Sequence, residues 1–196
     1  MKTIKSMKST DSPFELLLEL DERARTHAAG LPAQEDIRDY WSGVGFTLHG
    51  RRYISPLDDV YEILHIPETI TEIPGVYPWV KGVANVRGRL LPLIDLAGFF
   101  GFESRPVQTS EQRVLVIEQG DLYCGLVVDG VSGLQHFETE TYNDSIPANV
   151  PESVRFCMAG SYRREVEFLV LSFRALAKSE RFLQVSSGGT AGSAVA

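Results

Sequence analysis

The residue types that could carry metal chemistry are few and stand far apart in this chain. The four histidines are His27, His49, His65 and His136. No two of them have the i,i+4 spacing that places two ligands on one helix face, and none lies near a cysteine or carboxylate at ligand spacing. We therefore expect no metal site.

Nucleophilic and phosphate-binding motifs are also missing from the sequence. Cys124 and Cys157 lack a Cys-x-x-Cys partner and have apolar neighbours, which indicates two reduced thiols in a core. Ser132 lies in Gly-Val-Ser-Gly, which lacks the spacing of a nucleophile elbow. The Gly-Arg turns at Gly50 and Gly88 lack the following helix that would bind a phosphate.

Paired carboxylates are the last candidates for catalysis. They are Asp58–Asp59 and the Glu138/Glu140 pair, and adjacent acids at turns are usually solvated. These residue patterns predict that the chain is not an enzyme and binds no cofactor. A stand-alone ligand-binding β-barrel and an unrecognised hydrolase remain as alternatives.

Composition narrows the class of partner. The chain has 196 residues, of which 43% are apolar and 23% charged, with a net charge of −7. An acidic chain has no broad basic field to displace counterions, so nucleic acid is not expected as a partner. No apolar run approaches the roughly 18 residues that span a bilayer. We expect a cytoplasmic protein without a secretory signal or direct membrane insertion.

The run Trp79–Leu96 carries the strongest local signal. It predicts a strand, a tight Gly-bounded turn that presents Asn85 and Arg87, a second apolar strand, and an Asp95 cap on a short helical turn. A rigid surface turn between buried strands suits docking better than catalysis. The alternative for Arg87 is an internal ion pair, with Glu62 as the expected partner on a neighbouring strand.

An amphipathic helix is predicted near the N-terminus. Ser12 is its N-cap, Pro13 its first residue, Glu15 closes a capping box, and Gly30 ends it. The apolar stripe comprises Phe14, Leu17, Leu18, Ala24 and Ala28. Residues 13–40 carry seven acids and three arginines, a net of −4. The stripe either packs on the rest of the protein or acts as a specificity element for a partner.

The order of features after Val44 occurs twice, with single-residue slips. Phe46–Tyr53 matches Val114–Tyr123, Gly82 and Gly160 each open a turn before an apolar strand, and Asp95 and Ser172 each cap a helical turn after that strand. This degenerate repeat predicts two small all-β units that share a core, and strands at this spacing favour barrels. One closing helix is expected after Ser172, with a flexible tail beyond it.

Three motifs in this order resemble the CheW-like domains, adaptors that couple bacterial chemoreceptors to a histidine kinase. The motifs are Val60–Ile63, Trp79–Leu96 and Leu126–Val131, with Gly160 before the last strand. The resemblance covers residues 43–183. It implies a mainly β fold of two five-stranded SH3-like barrels sharing a core, with an N-terminal helical extension (1–42), a C-terminal helix and a tail (184–196).

The same resemblance implies partners and a site. One barrel would dock on the homologous domain of a CheA-like histidine kinase, and the groove between barrels would take the hairpin tip of a methyl-accepting chemoreceptor. Other CheW-like domains are further partners, and the isolated chain is expected to be a monomer. The implied partner-binding residues are Val60, Glu62, Val83, Asn85, Val86, Arg87 and Gly88.

Within this family the chain resembles the PilI-type adaptors of the type IV pilus system. The segments that carry this likeness are Pro13–Leu18, Ala29–Gln34, Trp41–Gly43, Trp79–Leu91 and Gln135–Phe137. The N-terminal extension is not part of the short chemotaxis adaptors. This branch implies a PilJ-like receptor, recruitment to membrane-associated receptor arrays, and an output in twitching motility.

Overall fold

The computed structural model describes residues 14, 17–18, 21–23, 39–103 and 110–186. The described residues of the N-terminal segment are helical, and the side chains of Phe14, Leu17 and Leu18 are exposed. The predicted cap at Ser12, the helix end at Gly30 and the tail beyond residue 186 lie outside the described residues. Residues 1–38 and 39–196 form two separate compact units, and the second contains every strand among the described residues.

Strands dominate the second unit. They are β1 (Tyr40–Leu48), β2 (Arg51–Pro56), β3 (Glu62–His65), β4 (Val80–Val86), β5 (Arg89–Asp95), β6 (Arg113–Gln119), β7 (Leu122–Val128), β8 (Gly130–Glu138), β9 (Tyr142–Asn143), β10 (Met158–Arg163) and β11 (Glu167–Leu171). One sheet has the order β8-β1-β2-β11-β10-β9 and the other β3-β6-β7-β5-β4. The pairs β2–β11 and β5–β7 are parallel, and the other strand pairs are antiparallel.

The helices of this unit are short. They are α1 (Leu96–Phe99), α2 (Glu152–Arg155), α3 (Phe173–Ala177) and α4 (Glu180–Ser186). The predicted caps are confirmed: Asp95 accepts a hydrogen bond from the Gly98 amide (3.1 Å), and Ser172 accepts one from the Ala175 amide (3.2 Å). The single closing helix predicted after Ser172 is two helices, and α4 continues three residues into the predicted tail. Across the described ranges, no helix is long and apolar enough to cross a membrane.

Each sheet curls into a half-barrel. Strands β8 and β9 stand at opposite ends of the six-stranded order, yet only a 3₁₀ turn of three residues, Thr139–Thr141, separates them. The two ends of the sheet must therefore approach each other. In the five-stranded sheet the segment after β3 returns to β4, where Thr71 pairs with Val83. The predicted fold of two SH3-like units is confirmed, with the two-residue β9 as an extra strand in one of them.

The internal repeat is present, but its halves exchange strands. The first half of the repeat comprises β1 to β5, and its counterparts in the second half are, in order, β6, β7, β8, β10 and β11. Exchanging each strand for its counterpart converts the order of the five-stranded sheet into that of the larger sheet without β9. Each sheet therefore combines the first hairpin of one half with the later strands of the other half. The sequence repeat predicted two units but not this exchange of strands between them. Local periodicity shows that a segment is a strand, but not which strand pairs with it.

Three apolar clusters explain the continuous hydrophobic runs. Successive side chains of a strand point to opposite faces. In β6, Leu115 and Ile117 therefore enter a large core shared by both sheets, while Val114 and Val116 fill the interior of the five-stranded half-barrel. A third cluster around Phe137 fills the six-stranded half-barrel. Strands buried on both faces lose the alternation of polar and apolar residues.

The repeated glycines Gly82 and Gly160 mark β-bulges inside strands, not the starts of turns as predicted. Their φ angles are +130° and +141°, and the register of each hairpin shifts beside them. An added Cβ would lie 2.3 Å from the Thr71 carbonyl oxygen at Gly82 and 2.4 Å from the Asn143 carbonyl oxygen at Gly160. Glycine is required at both positions because the backbone of another segment crosses there.

Both cysteines are buried in the shared core, and burial raises the pKa of each thiol from 9.0 to about 12. Well below pH 9 the thiols are protonated in the folded and the unfolded chain. Between pH 9 and 12 the unfolded chain loses these protons first, so the free energy of unfolding should fall as pH rises. Urea unfolding of the protein and of a Cys124→Ala/Cys157→Ala variant should show the steeper decline in the wild type; equal slopes would contradict this expectation.

Candidate functional site

The turn between β4 and β5 has a fixed shape. Arg87 and Gly88 have φ angles of +51° and +84°, as a two-residue hairpin turn with right-handed strand twist requires. The Gly88 amide donates a hydrogen bond to Oδ1 of Asn85 (2.9 Å). The Asn85 side chain thus stabilises the turn from within, and the Arg87 side chain extends from the turn toward Glu62.

The predicted ion pair between Glu62 and Arg87 is confirmed. It is bidentate, with Nη2 of Arg87 2.6 Å from Oε1 of Glu62 and Nη1 3.1 Å from Oε2. The Arg87 side chain is 75% exposed and that of Glu62 26% exposed. The two residues do not lie on neighbouring strands as expected, since β3 and β4 stand at opposite ends of the sheet order. The pair joins those ends because the sheet curls.

A second ion pair lies beside the first. Nη2 of Arg89 lies 2.9 Å from Oε1 of Glu118. The guanidinium carbon of Arg89 also lies 3.8 Å from the centroid of the Tyr123 ring. The hydrogen bond to Glu118 raises the pKa of Arg89. We call Glu62, Arg87, Arg89 and Glu118 the charged rim. The rim presents two fixed carboxylates and two fixed guanidinium groups at one end of the five-stranded half-barrel.

Exposed apolar side chains neighbour members of the charged rim along the chain. Tyr61 and Ile63 flank Glu62, and Leu90 follows Arg89; these three side chains are 61%, 41% and 70% exposed. Large apolar side chains beside fixed charges are typical of protein–protein contacts. Sequence reasoning missed Tyr61, Ile63, Leu90 and the Arg89–Glu118 pair. Adjacency to a selected residue could have indicated Tyr61, Ile63 and Arg89, whereas Glu118 is distant in sequence from all of them.

The remaining predicted site residues divide between surface and interior. Asn85 and Gly88 are exposed. Val86 is half-buried and packs into the five-stranded half-barrel, and Val60 is half-buried against the shared core. Val83 is half-buried and pairs through its backbone with Thr71. The structure therefore brings Glu62, Asn85, Arg87 and Gly88 together at the surface, with the three valines supporting them.

Asp59 is not solvated, in contrast to the prediction for the Asp58–Asp59 pair. It is 4% exposed, and its Oδ2 accepts hydrogen bonds from the Ser172 hydroxyl (3.2 Å) and the Arg174 amide (3.0 Å). The Arg174 guanidinium lies 3.6 Å from Oδ1. Asp59 therefore ties the segment before β3 to the N-terminus of α3, where partial positive charge stabilises a carboxylate.

No catalytic grouping is assembled within the described ranges. Ser42 Oγ lies 2.8 Å from Nδ1 of His136 on paired strands, a contact that sequence spacing did not reveal. Ser42 is half-buried and His136 is exposed, so water can compete for the same hydrogen bonds. Among the described residues no three His, Cys, Asp or Glu side chains could jointly hold a metal ion.

Known proteins share this sequence pattern and fold. The family model of the CheW-like domain matches residues 42–180. Protein PilI of Pseudomonas aeruginosa is 46% identical over 180 residues, which cover 92% of this chain and 99% of that protein. Chemotaxis protein CheW of Helicobacter pylori is 29% identical over 137 residues, covering 70% of this chain and 81% of that one.

A solved structure extends the likeness to the fold. The scaffolding protein TtCheW from Thermoanaerobacter tengcongensis superposes with a TM-score of 0.61 at 23% identity, and the match covers 73% of this chain and 96% of that one. The family model spans most of the described part of the second unit, including both half-barrels and the charged rim. The chain belongs to the CheW-like domain family.

Proposed function

We propose that the chain is a non-enzymatic adaptor that couples a methyl-accepting chemoreceptor to a CheA-like histidine kinase. Its place in chemosensory-type signalling follows from the family. The two partners and their coupling through the charged rim are the proposal. No cofactor takes part in this function.

The charged rim is the observation that carries the proposal. A bidentate Arg–carboxylate pair fixes the position of a surface turn, and here it does so beside the exposed side chains of Tyr61, Ile63 and Leu90. Exposed Tyr and Arg side chains are among the residue types enriched at protein–protein interfaces. We assign the rim to the kinase contact and the groove between the half-barrels to the receptor contact.

The likeness to Protein PilI supports the pilus branch of the family. Identity of 46% extends over nearly the whole of both chains, so it includes the N-terminal segment and not only the shared domain. We therefore propose a PilJ-like receptor, recruitment of the chain to membrane-associated receptor arrays, and an output in type IV pilus twitching motility. Other CheW-like domains would compete for the same surfaces.

Capture of partners from native lysate tests this function. The full chain, immobilised through its C-terminus, should retain a large histidine kinase and a methyl-accepting receptor that mass spectrometry identifies. A column carrying the Arg52→Glu variant, which reverses an exposed charge on the six-stranded sheet, should retain the same two proteins. Retention of neither class by the wild-type column, from a lysate shown to contain both, would contradict the proposal.

A further inference from the structure

The internal repeat gives the molecule two corresponding grooves between its half-barrels. One groove lies between α1 and the β1–β2 turn, and the other between α3 and the β6–β7 turn. The strand register relates each residue of the first groove to one of the second. The corresponding pairs are Asp129 and Asp58, His49 and Gly120, Phe100 and Ala177, and Gly101 and Lys178. The two grooves therefore share one framework and differ in the side chains that line it.

The chain fills the first groove with its own aromatic rings. The rings of His49 and Phe102 stack with centroids 4.8 Å apart and an interplanar angle of 1°. The ring centroid of Phe100 lies 6.4 Å from that of Phe102. The His49 amide donates to Oδ2 of Asp129 at 2.7 Å, which fixes the turn that carries the imidazole. We call this the filled groove.

The second groove is open, with a volume of about 460 Å³. Its counterparts of His49 and Phe100 are Gly120 and Ala177, which together line it without an aromatic ring. A Cβ built on Gly120 meets no atom within 4 Å. We call this the open groove.

The backbone explains why the chain does not reach into the open groove. After α1, Gly101 has a φ of +80° and the Phe102 amide returns to the Ala97 carbonyl (2.9 Å), so the chain reverses and brings Phe102 over His49. After α3, Lys178 keeps a helical conformation (φ −87°) and the chain continues into α4. The place that Phe102 occupies in the filled groove therefore has no occupant from this chain's described residues.

The walls of the open groove carry opposite charges. Arg174 and Glu118 are engaged in ion pairs with Asp59 and Arg89. Asp58 and Lys178, which also line the groove, enter no ion pair within the described residues. An occupant that complements this groove has a large apolar side chain at its centre, an acid toward Lys178 and a base toward Asp58.

We propose that the receptor segment inserts one aromatic side chain into the open groove between Gly120 and Ala177, where it takes the place that His49 and Phe102 fill in the other groove. This inference rests on the proposed receptor contact and adds its anchor. Gly120 and Ala177 then set specificity, because a larger residue at either position would occupy the space that the partner needs. Glu118 belongs to both the charged rim and the groove wall, so the two contacts adjoin.

A matched pair of substitutions at Gly120 tests the anchor. Gly120→Trp fills the groove, whereas Gly120→Asn adds a small side chain of a type that the left-handed backbone there tolerates (φ +60°); Ala177→Phe fills the groove without a change at a left-handed position. The probe is the purified cytoplasmic domain of a methyl-accepting receptor from the same cell, with binding measured by calorimetry. The Trp variant should bind the receptor domain about tenfold or more weakly, because it excludes the aromatic anchor and loss of such an anchor typically costs this much affinity. The Asn variant should bind like the wild type.

Ala177→Phe provides a second way to fill the groove if Gly120→Trp lowers the melting temperature. Each aromatic residue of the receptor segment is then changed to Ala. One of these changes should weaken binding to the wild-type chain but cause no further loss of affinity for the Ala177→Phe variant. Unchanged receptor binding by folded variants of both types would overturn the anchor while leaving the adaptor function intact. Failure of the wild-type chain to bind any receptor domain would overturn the receptor contact itself.

Discussion

Exchange of Arg87 for Glu should abolish coupling of receptor to kinase while the protein remains folded. The change sets a new carboxylate against that of Glu62, where an ion pair stood, and presents the wrong charge to a partner. A like-charge contact at an interface costs several kcal/mol, on the order of a hundredfold or more in affinity. The ion pair is largely exposed, so the loss of unfolding free energy should be about 1 kcal/mol or less. Titration calorimetry with the kinase and urea unfolding measure the two effects.

A double exchange separates the two roles of Arg87. In Glu62→Arg with Arg87→Glu, the ion pair is restored with its charges reversed. We expect stability to recover and binding to remain weak, because Arg87 also faces the partner. Recovery of both would mean that Arg87 acts only by holding the turn. The control is Arg52→Glu, and wild-type binding of both partners by the single Arg87→Glu variant would show that the charged rim is not the site.

Gly82→Ala should destabilise the fold more than any surface change. The new Cβ would lie 2.3 Å from the Thr71 carbonyl oxygen, at a φ of +130° that side chains rarely adopt. Backbone strain and overpacking together should cost about 3 kcal/mol or more of unfolding free energy. Gly160→Ala should cost a similar amount, because the Asn143 carbonyl oxygen lies 2.4 Å from its added Cβ.

Gly88→Ala is the matched control for both changes. Its φ is +84°, but an added Cβ meets no atom within 4 Å. Only the left-handed conformation is then disfavoured, at about 1–2 kcal/mol. Urea unfolding of the three variants measures the difference. Equal losses at Gly82 and Gly88 would refute the steric explanation of the bulge.

The sequence predicted those features that depend on short-range pattern. The caps at Asp95 and Ser172, the turn at Arg87 and the repeat all follow from residue spacing that the structure retains. The Glu62–Arg87 pair was also predicted, on the expectation that the two residues lie on neighbouring strands. Its geometry was not, because the curling that brings β3 to the β4–β5 turn is a property of the whole sheet.

Features that depend on long-range packing were missed. Asp59 resembles a solvated turn residue until α3, more than a hundred positions later, brings the Ser172 hydroxyl and the Arg174 amide to its carboxylate. Gly82 and Gly160 resemble turn residues because glycine is common to turns and bulges, and only the crossing backbone distinguishes them. The exchange of hairpins between halves leaves no local mark in the sequence.

Joint recruitment of both partners tests the adaptor function most directly. Membranes that contain the receptor are mixed with purified kinase, with or without the full chain, and sedimented. We predict that the kinase sediments with the membranes only when the wild-type chain is present, and not with the Arg87→Glu variant. Kinase that sediments equally without the chain, or a wild-type chain that binds one partner but brings no kinase to the membranes, would contradict the adaptor function.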